Sequence, residues 1–85
     1  MKYNEDLNRL VGELLWNKRQ IEVQISINEK HISIYKKYLD KATTVKERFK
    51  WQNEIKHYKQ QNHALGYELI NTQRKISELL DKEGE

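Results

Sequence analysis

Few residues in this chain have the types and spacing that chemistry requires. Glu54 and His57 stand three apart in Glu-Asn-Ile-Lys-His. This is the Glu-x-x-His spacing that supplies metal ligands in di-iron helical bundles. Such a centre also needs inward-facing carboxylates from neighbouring helices. Here Ile55 takes the inward position, Glu54 and His57 flank it, and the first half of the chain has no carboxylate at an inward position. A solvated surface pair is the better reading. His57 and His63 are six apart, which does not stack them on one helical face, and His31 lies elsewhere. There is no glycine-rich phosphate loop, and no serine, histidine and acid cluster is suggested by position. Without cysteine there is no thiolate metal site, cysteine nucleophile or disulfide framework. The residues therefore point to no catalytic centre, cofactor, metal or small-molecule substrate.

Charge is more informative. Residues 1–27 carry four basic and four acidic side chains, residues 28–63 nine basic and four acidic, and residues 64–85 three basic and five acidic. The middle of the chain is thus net +5 and the final part net −2. Five of the eight aromatics (Tyr35, Tyr38, Phe49, Trp51 and Tyr58) fall in the basic part. Lys36, Lys37, Lys41, Lys46, Arg48, Lys50 and Trp51 form the candidate binding set. Basic residues interleaved with aromatics are one footprint of nucleic-acid binding. The same charge would equally steer an acidic protein partner. The plainer explanation is that the aromatics serve a helical seam and the lysines keep it solvated.

The elements that would position these residues are helical. Hydrophobic residues make up 36% and charged residues 34% of the 85, with a mean hydropathy of −1.04. That is lean for a compact globule and suits a coiled coil, whose apolar residues occupy only a seam. There is no proline and there are three glycines, Gly12, Gly66 and Gly84, so a chain so poor in breakers reads as long uninterrupted elements.

Leu7, Val11, Leu14, Lys18, Ile21, Ile25, Asn28, Ile32, Tyr35 and Leu39 follow one another at alternating steps of four and three. Trp51, Ile55, Tyr58, Asn62, Leu65, Leu69, Thr72, Ile76 and Leu79 do the same. Each run is a coiled-coil seam. Asn4 is a candidate cap for the first helix, with Glu5 and Asp6 in its first turn. Thr44 and Glu47 have capping-box spacing, and Lys82 and Gly84 suit a helix end. The reading is one all-α domain over residues 1–85: helix 1 over about 4–40, a turn at about 41–43, and helix 2 over about 44–82. Each arm spans roughly 55 Å. So short a link makes the helices antiparallel neighbours. Folding about its midpoint sets Leu39 near Val45, Tyr35 near Phe49, Ile25 near Tyr58, Leu14 near Leu69 or Ile70, and Leu7 near Ile76.

Ile21–Ile27 and Ile32–Ile34 also alternate like strands, with Asn28-Glu29-Lys30 between them. That link lacks tight-hairpin turn chemistry, and the heptad repeat passes through it without a slip. Helix is therefore expected.

The alternation has a helical origin. Trp16, Val23, Ile27 and Ile34, with Gln20 and Lys30 at the intervening steps, form a second stripe away from the first seam. Helix 1 is thus apolar on two faces, and a lone hairpin covers one. A homodimer forming a four-helix bundle is the simplest solution, and a hetero-partner would serve equally. The expected oligomer interface comprises Leu7, Val11, Leu14, Trp16, Ile21, Val23, Ile25, Ile27, Ile34, Leu65 and Leu69. Gly12 and Gly66, inside helices where glycine costs about 1 kcal/mol, mark either close helix approach or neutral positions. Asn28 and Asn62 are candidates for fixing register or oligomer state, and Lys18 for carrying its ammonium to water along the bundle edge.

In architecture the chain resembles Rop-type antiparallel hairpins. That resemblance implies dimerisation into a four-helix bundle and RNA binding. Secreted Trp-x-Gly hairpins are of similar size, but Trp16-Asn17-Lys18 and Trp51-Gln52-Asn53 both lack the glycine.

The opening ten residues are polar and acidic, with no signal-peptide pattern, and no apolar run approaches a membrane span. A cytoplasmic location is expected. The abundance of lysine, isoleucine and asparagine points to an AT-rich bacterial or phage genome. The functional expectation is a non-catalytic protein-binding module, an adaptor or inhibitor. A nucleic-acid-binding dimer using the basic tip is the alternative.

Overall fold

A computed structural model describes residues 2–83, with side chains over 5–81. It is an all-α hairpin of two helices, α1 (Lys2–Lys41) and α2 (Val45–Glu83), joined by residues 42–44. No strand occurs among the described residues, and Ile21–Ile34 is helical throughout. The principal extents are 65 × 14 × 13 Å. The radius of gyration is 19.1 Å, against about 12 Å for a compact chain of this length.

The turn follows from local hydrogen bonding. Ala42 N donates to Leu39 O (3.1 Å), closing the last turn of α1. Thr44 then caps α2: its Oγ1 accepts from Glu47 N (3.1 Å), while Arg48 N donates to Thr44 O (3.1 Å). The Glu47 carboxylate reaches back to Thr43 N at 3.4 Å, one residue upstream of the usual capping-box donor. At the other end, α1 begins at Lys2, so Asn4 lies within the first turn and is not the cap. Nothing in Lys2-Tyr3 breaks a helix, and the backbone continues past Asn4. Gly84 and the side chain of Lys82 lie outside the described residues.

Both 4-3 repeats turn inward. Leu7, Asn28 and Ile55 are buried, and every other residue of the two seams is half-buried. Leu7 and Ile55 are the only buried hydrophobic side chains among the described residues. The seam is one side chain deep, as expected of two helices in contact along a line.

The register differs from that of a fold about the link's midpoint. Asn28 meets Asn62, with Asn28 Nδ2 donating to Asn62 Oδ1 at 2.9 Å. Tyr35 stacks on Trp51 and Tyr58, with ring centroids 5.4 and 5.8 Å apart. Carried along the antiparallel seam, this register sets Ile25 opposite Leu65, Ile21 opposite Leu69 and Leu14 opposite Ile76. Val45 and Phe49, the expected partners of Leu39 and Tyr35, are instead 75% and 62% exposed. The displacement is close to one heptad, the interval at which a 4-3 seam matches itself and periodicity alone cannot choose. One heptad back, Asn28 would face Ile55 and Asn62 would face Ile21. Both amides would then lose their partners in an apolar layer, an arrangement costing about 1–3 kcal/mol per unsatisfied group. The asparagine pair selects the register.

Candidate functional site

Three features stand out along the hairpin: a polar layer with an aromatic stack inside it, an apolar stripe outside it, and lysines around its tip.

Asn28, 1% exposed, is the most deeply buried polar residue described. Its Oδ1 accepts from Gln24 Nε2 (3.0 Å), and its Nδ2 donates to Asn62 Oδ1 and to Gln61 Oε1 (3.3 Å). Asn62 Nδ2 donates to Ile25 O at 3.3 Å. Gln61 continues the network to His57, with their Nε2 atoms 3.0 Å apart. No buried side-chain nitrogen or oxygen among the described residues lacks a partner. The layer is fully satisfied, as a buried polar network must be to specify a structure.

Toward the turn, the layer gives way to a stack of rings. His31 lies against Tyr58 (centroids 5.0 Å, planes 17° apart) and, more distantly, Tyr35 (6.1 Å). Tyr38 meets Trp51 at 4.8 Å, and Lys50 Nζ sits 4.7 Å from the Trp51 centroid. The Tyr35 hydroxyl is held above the ordinary phenol range, chiefly by loss of solvent among these rings and then by its charge interaction and hydrogen bond with Tyr58. Trp51 therefore has neighbours from both helices. The sequence marked these aromatics as seam residues or as part of a basic footprint; His31, on the seam's flank, was not singled out. Its spacing of four before Tyr35 was the available signal.

The second stripe is uncovered. Trp16, Val23, Ile27 and Ile34 are 64, 39, 40 and 44% exposed. A shallow hollow of about 220 Å³ lies midway along it, lined by Arg19, Glu22, Val23, Ser26, Ile27 and Lys30. The other expected interface residues sit differently: Leu7, Val11, Leu14, Ile21, Ile25, Leu65 and Leu69 all line the seam between α1 and α2. Leu10, Leu15, Tyr67, Ile70 and Leu80 are further exposed apolar side chains: Leu10, Leu15, Ile70 and Leu80 each stand next to a seam residue, and Tyr67 lies on the outer side of α2, two positions from both Leu65 and Leu69.

The basic tip is not one surface. Lys36 lines an open groove of about 720 Å³ with Leu39, Gln52, Ile55, Lys56, Lys59, Gln60 and His63. Lys41, Lys50 and Trp51 line a smaller hollow of about 360 Å³ with Tyr38, Ala42 and Glu47. Lys37, Lys46 and Arg48 are exposed and line neither. The larger groove has an apolar floor (Leu39, Ile55) and a rim of lysines without an acidic residue. Lys56 and Lys59 line it together with Lys36, and their sequence positions alone did not place them there.

Gly12 and Gly66 make no close approach within the hairpin: a Cβ at either position would meet nothing within 4 Å. Among the described residues, no three histidine, cysteine or acidic side chains come together as metal ligands. No described helix is long and apolar enough to cross a membrane. No family model matches the chain, and no curated protein or solved structure matches it.

Proposed function

We propose that the chain is a non-catalytic protein-binding module: a helical hairpin that dimerises through the outer face of α1 and acts as an adaptor or inhibitor, docking an acidic protein with its lysine-rimmed groove. The observation that carries this reading is the Trp16–Val23–Ile27–Ile34 stripe, which stays exposed after the hairpin has closed its seam. Two quantities support it. The hairpin exposes 6895 Å², against about 5400 Å² for a compact monomer of its mass. That excess is of the order of a standard protein–protein interface. Its interior also buries few apolar side chains, so a second hairpin would supply the missing core. A cytoplasmic protein of phage or mobile-element origin suits this reading, on composition alone.

The lysine groove favours an acidic protein over nucleic acid as the external partner. Its floor is apolar, matching an amphipathic helix with acidic flanks. Trp51, the aromatic of the candidate binding set, is already engaged by Tyr35, Tyr38 and Lys50.

Affinity capture from the native cell, comparing the wild type with a Lys36→Glu/Lys56→Glu/Lys59→Glu variant, tests the proposal. An acidic protein retained by the first and lost by the second is expected. Gel shifts with duplex DNA and structured RNA, at about 50 and about 200 mM salt, test the alternative, since phosphate-driven binding weakens steeply with salt. A strong shift abolished by the same charge reversal would replace the protein-binding reading.

A further inference from the structure

We infer that two copies meet antiparallel along α1, about a two-fold axis beside Ile25, so that the assembly carries its lysine grooves at opposite ends. This rests on the dimeric reading above and adds its geometry.

Three observations lead to it. The first is the order of residues along the stripe. Trp16, Gln20, Val23, Ile27, Lys30 and Ile34 step by four and three, the spacing of a seam that faces another helix. Read from either end it runs large apolar, polar, β-branched, β-branched, polar, large apolar. Set against itself antiparallel, Trp16 meets Ile34, Gln20 meets Lys30 and Val23 meets Ile27. One step beyond each end, Glu13 meets Lys37, an opposite-charge pair made twice by the symmetry. A parallel alignment would instead set Trp16 on Trp16 and Lys30 on Lys30. A two-fold interface requires a self-complementary patch, and this stripe is one.

The second is the shape at the midpoint. The hollow bounded by Arg19, Glu22, Val23, Ser26, Ile27 and Lys30 lies where the axis would pass. It is the kind of recess between neighbouring helical side chains that accepts a knob from a facing helix. A second copy's Val23 and Ile27 are the side chains that arrive there.

The third is charge. The basic middle segment of the chain, residues 28–63, occupies the turn half of the hairpin, while residues 1–27 and 64–85 are net zero and net −2. Antiparallel docking lays the basic half of each copy along the neutral-to-acidic half of the other, whereas parallel docking lays +5 against +5. The consequence is a bivalent particle. The two Leu39 residues, one in each groove floor, would stand about 40 Å apart at the helical rise, so each copy offers its groove to a separate acidic partner.

Cysteine pairing distinguishes the arrangements, and the chain has no cysteine of its own. Gln20→Cys and Lys30→Cys are made separately in the full chain, and each is oxidised alone and as an equal mixture, with the mass of the reduced protein measured beforehand. The antiparallel geometry predicts a disulfide-linked heterodimer in the mixture and no covalent dimer from either variant alone. Self-linkage of each variant would establish a parallel pair and overturn the inference while leaving the dimer intact. A dimeric mass with no linkage in any sample would place the interface elsewhere and overturn it too. A single-chain mass at every concentration would overturn both the inference and the dimeric reading.

Discussion

Replacing Asn28 by alanine removes three side-chain hydrogen bonds from a residue that is 1% exposed. The decisive loss is on the partner side. Asn62 Oδ1 gives up its donor at 2.9 Å and faces a methyl group across the half-buried layer. An acceptor left unsatisfied in such a place costs about 1–3 kcal/mol, and the small void left by the shortened side chain adds to it. A loss of about 2–3 kcal/mol is expected, which for a chain of this size lowers Tm by roughly 10–20 °C. Circular dichroism at 222 nm during heating measures it, with chain concentration held constant because association shifts apparent stability. The double variant Asn28→Leu/Asn62→Leu removes donor and acceptor together and should recover to within about 1 kcal/mol of the wild type or exceed it. Its register should no longer be unique: with leucines in the layer no amide pair opposes a one-heptad slip, and nuclear Overhauser contacts between the Tyr35 and Tyr58 rings, which exist in only one of the two registers, should become heterogeneous. Loss of less than about 0.5 kcal/mol in Asn28→Ala, or a double variant as unstable as the single one, would refute the reasoning.

Other perturbations have equally definite outcomes. Gly12→Ala and Gly66→Ala should each stabilise by about 0.5–1 kcal/mol, since a Cβ at either site meets nothing within 4 Å; chemical denaturation reads this, and destabilisation would indicate a close approach that the hairpin itself does not contain. Thr44→Ala removes the cap on Glu47 N and should cost about 1 kcal/mol, whereas Thr44→Ser should be nearly silent. The Tyr35 hydroxyl titrates above its unfolded value of about 10, because the surrounding rings exclude solvent and Tyr58 adds its charge and hydrogen bond. The unfolded chain ionises first, so this contribution to stability is complete below that value and is lost as pH rises through the folded one. Tyr35→Phe should remove a phenol titrating above the ordinary range from an ultraviolet absorbance titration.

Much of the fold was legible because it rests on repetition. Two uninterrupted 4-3 runs separated by Thr44-x-x-Glu47 specify two helices and a turn, and the strand-like alternation of Ile21–Ile27 is what two apolar faces on one helix produce. The register was not legible from periodicity, since a heptad seam is indifferent to slips of seven. It was legible from one polar seam residue in each helix: Asn28 and Asn62 satisfy one another in only one alignment, whereas Lys18 and Thr72, the other polar members of the seams, carry no such mutual pairing. The outer stripe was readable for the same reason as the seams. The lysine groove was not, because Lys36 comes from α1 and Lys56 and Lys59 from α2, and only a correct register brings them to one rim.

Sedimentation equilibrium of the wild type beside Ile27→Glu shows whether the outer face of α1 holds two copies together. Ile27 is 40% exposed and lies outside the seam, so the substitution should leave the helical hairpin folded by circular dichroism. In a two-fold interface it places a carboxylate twice in the layer where Val23 and Ile27 would close on one another, a desolvation that the neighbouring Arg19 and Lys30 offset only in part, which should weaken association on the order of a hundredfold. Twice the 10.4 kDa chain mass is expected for the wild type at micromolar concentration, and the single-chain mass for Ile27→Glu. A wild type that stays at 10.4 kDa, or a dimer that Ile27→Glu leaves intact, would contradict an interface on that face.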